Sequence, residues 1–163
     1  MRQSIKVKKW VDILYEFTAT AVAINPGMLI EETSAGLVQA HSTQGGNVLP
    51  MFALEDELQG NGIGNAYAAS AKIQAWIPQR GEVVQGVLAD GETAVIGSFL
   101  ESNGDGYLRV HVPQTADSDD AITVIPSGIV GIAAEALDLS GSSGAETPDP
   151  LLGYNKRIDV RLI

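Results

Sequence analysis

The sequence predicts a mainly-β fold made of small β-barrel or β-tulip-like modules, and three observations lead there. Turn-forming clusters punctuate the chain about every ten residues, the spacing of sandwiches and barrels. Between them, apolar and polar residues alternate over short runs, the period of a strand with one buried face. Finally, Gly27 to Gln44 repeats without a gap as Gly97 to Gln114, at a constant offset of 70 residues. The expected organisation is an extended basic N-terminal arm over 1–17, a first β-module over 18–80 and a second over 81–163, the two packed as one compact body. Modules of about 75 residues are marginal alone, so joint packing would stabilise both.

Taken in order, Ile5 and Val7 alternate with Lys6 and Lys8, which suits an extended segment with one apolar and one basic face. Trp10, Ile13, Leu14 and Phe17 also fit helical spacing, but Val11, Ile13, Tyr15 and Phe17 favour a strand. Thr18 to Ile24, Met28 to Glu31 and Leu37 to Ala40 are strand candidates, separated by Asn25-Pro26-Gly27 and Ser34-Ala35-Gly36. Met51 to Leu58 reads as a strand ending in an acidic turn, and Gly60, Gly62 and Gly64 form a loop. Ala66 to Ile73 is a helical turn or the approach to a strand, and Lys72 to Ile77 alternates cleanly. Strands are then expected over Glu82 to Leu88, Thr93 to Ile96, Phe99 to Ser102 and Tyr107 to Val112. Asn103-Gly104-Asp105-Gly106 supplies the strongest hairpin signal, because tight hairpins need residues tolerant of positive φ. The acidic run Asp117–Asp120 is a loop. Ile122 to Ile125 and Ile129 to Leu137 are apolar strands, Ser140 to Pro150 a flexible loop and Arg157 to Ile163 a final strand.

In the repeat, Gly27/Gly97, Glu31/Glu101, Gly36/Gly106, His41/His111 and Gln44/Gln114 are identical. Apolar positions coincide at Leu29/Phe99, Ile30/Leu100, Leu37/Tyr107 and Val38/Leu108. Two hairpins of similar turn chemistry would align in the same way; the preferred reading is a duplicated β-unit.

Charge narrows the functional classes. Twenty acidic residues against ten basic give a net charge of −10, a field that opposes wrapping nucleic acid. Four of the ten basic residues nevertheless lie within the first ten: Arg2, Lys6, Lys8 and Lys9. With Trp10 as an aromatic anchor, they are the candidate interface residues for an acidic partner surface. Charged residues make up only 18% of the chain, against about a quarter in typical domains, which leaves surface for protein neighbours. The absence of cysteine excludes disulfides, thiol catalysis and thiolate metal sites. It suits a reducing compartment. No apolar run of signal-peptide or membrane-spanning length follows the basic N-terminus, so a non-secreted protein with no membrane partner is expected.

Catalytic signatures are not found. Glu101 to Gly106 has oxygen ligands at alternate positions like a calcium loop, but Val112 stands where a bidentate Glu is needed. Gly60-Asn61-Gly62-Ile63-Gly64 lacks dinucleotide-fingerprint spacing and a βαβ context. His41 and His111 are read as hydrogen-bonded or exposed strand residues at equivalent repeat positions. Glu31/Glu32 and Asp119/Asp120 are sequence neighbours, so on a strand they point to opposite faces, the wrong arrangement for a carboxyl pair. No catalytic residue, metal ligand or cofactor is assigned, and the chain is read as a non-enzyme. The competing class is a non-catalytic carbohydrate- or receptor-binding β-module of a phage tail or cell surface. Such a module needs clustered exposed aromatics, whereas the nine Phe, Trp and Tyr are scattered.

Phe52 to Gly60, Ala66 to Ala69, Gln74 to Gly81, Leu88 to Glu92 and Ile96 to Gly106 together resemble a family of tailed-bacteriophage capsid decoration, or cement, proteins. The resemblance covers roughly residues 50–163 and carries no catalytic signature. It implies a structural protein on the outer surface of the virion head, made in the bacterial cytoplasm, with the major capsid protein as partner. It also implies a β-rich homo-oligomer, a trimer in preference to a dimer, with no direct nucleic-acid binding.

Overall fold

The computed structural model describes residues 5–8, 14–113, 128–141 and 156–163. Arg2, Lys9, Trp10, the acidic run Asp117–Asp120, the expected strand Ile122–Ile125 and most of the stretch from Ser140 to Pro150 lie outside the described residues. The first half contributes β1 (Lys6–Lys8), β2 (Leu14–Thr18), β3 (Ile30–Glu32), β4 (Val38–Ala40), β5 (Phe52–Ala53), a 3-10 turn (Glu57–Gln59) and β6 (Lys72–Trp76). The second contributes β7 (Val83–Val87), β8 (Thr93–Ala94), β9 (Phe99–Ser102), β10 (Leu108–Val110), β11 (Ile129–Ala133), β12 (Leu137–Asp138) and β13 (Arg157–Leu162).

The mainly-β expectation holds. A six-stranded sheet runs β1-β7-β13-β11-β9-β10, beside a three-stranded sheet β2-β6-β5 and the two-stranded pairs β3-β4 and β8-β12. All the strand pairings among the described residues are antiparallel. The closed-barrel form of the expectation is corrected, because none of these sheets closes into a barrel. Closure stops at single parallel bridges, Ala19 to Val38 in the first half and Leu88 to Leu108 in the second. One bridge fixes too little backbone to continue a ladder.

The two halves share one topology. In β3-β4, Ile30, Glu31 and Glu32 face Ala40, Gln39 and Val38; in β9-β10, Leu100, Glu101 and Ser102 face Val110, Arg109 and Leu108. Every pair is the repeat partner of the other. The correspondence extends past the aligned stretch: β2 pairs β6 as β7 pairs β13, and β5 pairs β6 as β11 pairs β13. The bridge from Ile24 to Tyr67 matches the β8-β12 pair. Gly27 and Gly97 (φ 86° and 90°) and Gly36 and Gly106 (71° and 83°) adopt the same left-handed backbone, which glycine enters most readily and Asn less so.

Some elements are shorter than their patterns. Of Met51 to Leu58 only Phe52–Ala53 pairs, and the acidic end turns into the 3-10 segment, closed by Gly60 at φ 77°. The run Thr18 to Ile24 leaves its sheet after Thr18, since Thr20 N–H turns to the Val38 carbonyl.

Two apolar clusters form the core. One lies within the first half and includes Ala19, Ile24, Ile30, Val38, Ala53 and Ile73. The other joins Leu29, Phe52, Leu54 and Trp76 of the first half to Val84, Leu88, Leu108, Ile158 and Val160 of the second, with Ile5 among them.

Candidate functional site

Of the basic interface candidates, Lys6 and Lys8 lie on β1, the outermost strand of the six-stranded sheet, opposite Val84 and Val83. Arg2, Lys9 and Trp10 are outside the described residues. The segment's root is fixed by Ile5, which is fully buried. Its carbonyl accepts from the Gln85 N–H at 2.9 Å, and its own N–H donates to the buried Glu55 carboxylate at 3.2 Å. Lys6–Lys8 are thus extended and already paired with their own chain. The amphipathic alternation of Ile5 to Lys8 signals a strand, but nothing local specifies β7 as its neighbour.

The repeated Glu and His positions form two constellations with opposite burial. In the second half Glu101 is buried, held by Arg109, whose Nε donates at 2.6 Å, and by His111 Nδ1. In the first half Glu31 is partly exposed and accepts from Gln39 Nε2 (2.9 Å), the Ser42 N–H (3.1 Å) and the Ser42 hydroxyl (2.7 Å). Partial burial pushes the Glu31 carboxyl up, but the hydrogen bonds from Gln39 and Ser42 and the neighbouring His41 outweigh it and hold it below the ordinary carboxylate range. His41 is buried. Its Nε2 donates to the Asn47 carbonyl at 3.0 Å, so a neutral ring accepts the Ser102 hydroxyl at Nδ1, 2.8 Å away. The histidines sit in different surroundings and act as hydrogen-bonding residues of their hairpins. The run from Glu101 to Gly106 is the end of β9 and a hairpin turn, in which Asp105 accepts from Asn103 Nδ2 and the Tyr107 N–H. Among the described residues no group of three or more His, Asp and Glu is placed to hold a metal.

The contact between the halves explains the inverted burial. Gly106 inserts its peptide into the open end of the first hairpin: the Leu29 N–H donates to its carbonyl at 2.8 Å, and its N–H donates to the His41 carbonyl at 3.2 Å. Arg157 reaches over Gly27 and donates from Nη2 to the carbonyls of Pro26 (2.8 Å) and Ile63 (3.0 Å). Gly45 lies over the Glu101 carboxylate, and its N–H donates to the Ser102 carbonyl at 2.9 Å. A corner of the first half therefore buries the β9-β10 turn of the second.

The counterparts of both surfaces are open. Leu29, Phe52 and Trp76 are fully buried, whereas their equivalents Phe99, Ile132 and Arg161 are exposed, half-buried and exposed. Val95 (61%), Ile96 (72%) and Phe99 (52%) form an exposed apolar corner around one turn of the second half, and Val112 (64%), next to His111 in sequence, is exposed too. The turn closed by the Ser98 N–H on the Val95 carbonyl groups the first three, and the His111 N–H donates to the Phe99 carbonyl at 2.8 Å. The sequence reading placed Val95 and Ile96 in a strand and missed this corner; the signal was two adjacent branched apolar residues leading into Gly97. No helix among the described residues is long and apolar enough to cross a membrane. No family model and no curated protein matches the chain.

Proposed function

We propose that the chain is a capsid decoration protein: it binds the outer surface of a tailed-phage head and stabilises contacts between major capsid subunits. The observation that carries this reading is the position of Lys6–Lys8 at the edge of the six-stranded sheet. Ile5 anchors this segment, and β1 is an edge strand whose far side pairs with nothing among the described residues. An edge strand of this kind accepts an extended segment of a partner by backbone hydrogen bonds, and flanking cations favour an acidic shell. Several copies acting together would hold a shell through individually weak contacts.

Removing residues 1–17 is a poor test, since it takes out Ile5 and β2 with the charges. Replacing Arg2, Lys6, Lys8 and Lys9 by alanine keeps Ile5. The wild-type protein should co-sediment with expanded heads and not with unexpanded ones, and the fourfold variant should bind expanded heads at least about tenfold more weakly. Wild-type protein that ignores both kinds of head, while binding a glycan array, would replace this reading with a carbohydrate-binding one.

A further inference from the structure

The two halves meet through dissimilar surfaces, and each half carries the counterpart of the surface the other one uses. We propose that the chain assembles head to tail with further copies of itself: the open corner of one copy's second half receives the exposed β3-β4 turn and the Glu16/Lys72 edge of the next. The arrangement repeats the contact that joins the halves within one chain. This inference does not depend on binding to heads.

The polar match is specific. Within the chain, the Leu29 N–H and the His41 carbonyl grip the Gly106 peptide. At their equivalents, neither the Phe99 N–H nor the His111 carbonyl bonds a turn or loop peptide among the described residues. The equivalent of Gly106 is Gly36, in an exposed turn, with nothing within 4 Å of where its Cβ would stand. A Cβ at Gly106 would meet Ala40 Cβ at 2.9 Å and the Leu29 carbonyl at 3.2 Å, so that contact admits only glycine. Arg157 and Gln85, which receive the first corner, correspond to Lys72 and Glu16, both largely exposed. Lys72 is thus placed to donate to the Ile96 carbonyl of a neighbour, as Arg157 donates to that of Pro26. Tyr15, 48% exposed, adds an aromatic surface beside Glu16.

The apolar match points the same way. The first corner is covered by the second half of its own chain, while Ile96 and Phe99 at the equivalent corner remain open to water. Exposed apolar patches of this kind mark protein contacts. Because donor and acceptor surfaces differ, the contact is heterologous, and copies close into a ring or continue as a filament.

The purified full chain, without heads, tests this by light scattering after size exclusion. The wild type should exceed the 17.1 kDa of one chain. Gly36→Asn keeps a residue that tolerates positive φ and meets nothing within its own chain. It should weaken association by about tenfold or more with unchanged circular dichroism, and with a melting temperature close to wild type at dilutions where both proteins are monomeric; Ile96→Asp should do the same from the other side. A wild type that stays monomeric at high micromolar concentration, or variants of unchanged mass, would overturn the proposal. Orientation is read by cross-linking, since the natural chain has no cysteine. With a short bismaleimide, Ile96→Cys mixed with Lys72→Cys should give a cross-linked dimer that neither variant gives alone. A dimer from Ile96→Cys alone would mean a symmetric contact and sink the head-to-tail arrangement.

Discussion

The hairpins β3-β4 and β9-β10 pair residue for residue in the same register, yet they bury opposite members of the same constellation. The first hides His41 and leaves Glu31 partly open; the second hides Glu101 and leaves His111 partly open. Local sequence makes the two alike. The difference arises because the first hairpin's open end, with His41, and the second hairpin's turn, with Glu101, are the two sides of one contact. Burial here reports position in the assembly of halves and not the residue type.

The widest gap between the halves should appear in the shared core. Phe52→Ala removes a fully buried ring that reaches Gly86 of the second half, and should cost about 3–5 kcal/mol in urea unfolding. Its counterpart Ile132 is only half-buried, so Ile132→Ala should cost below about 2 kcal/mol. Equal losses would mean that the halves do not share that core.

The carboxylates give a smaller contrast. Glu101→Gln leaves Arg109 and His111 without their buried counter-charge and should cost about 3 kcal/mol; Glu31→Gln, partly exposed, should cost about 1 kcal/mol or less. Acid sharpens the second case. The Glu31 pKa is lowered in the folded state, so its contribution is present above the ordinary value of 4.5 and is lost as pH falls through the folded value. The stability difference between wild type and Glu31→Gln should therefore shrink below about pH 4, measured by urea titrations at successive pH values. A difference that grows on acidification would reverse the sign assigned to Glu31.

The smallest effect belongs to Lys72, the counterpart of Arg157. Its pairing with Glu16 at 3.7 Å joins two side chains about two-thirds exposed. At concentrations where the chain is monomeric, Lys72→Ala should change thermal stability by under about 0.5 kcal/mol. A larger loss would show that Lys72 is held within its own chain as Arg157 is.

Much of this was legible in the residues. Glycines at 27, 36, 97 and 106 marked turns that require left-handed backbone, and the alternation from Lys72 and from Arg157 marked the strands that close each half. The match of β5 to β11 was not legible, because 11 residues separate β4 from β5 and 18 separate β10 from β11. The pairing of β1 with β7 was not legible at all. An amphipathic strand specifies which face it buries, and it carries no address for its neighbour.

The sequence by itself determined the β class and the glycine turns of the two hairpins, since both follow from backbone conformation and side-chain period over a few consecutive residues. Only the tertiary structure decided which copy of each repeated residue is buried, where the basic segment is anchored, and which corner stays open. Those depend on contacts between residues far apart in the chain, and identical local patterns cannot distinguish the half that is covered from the half that is not.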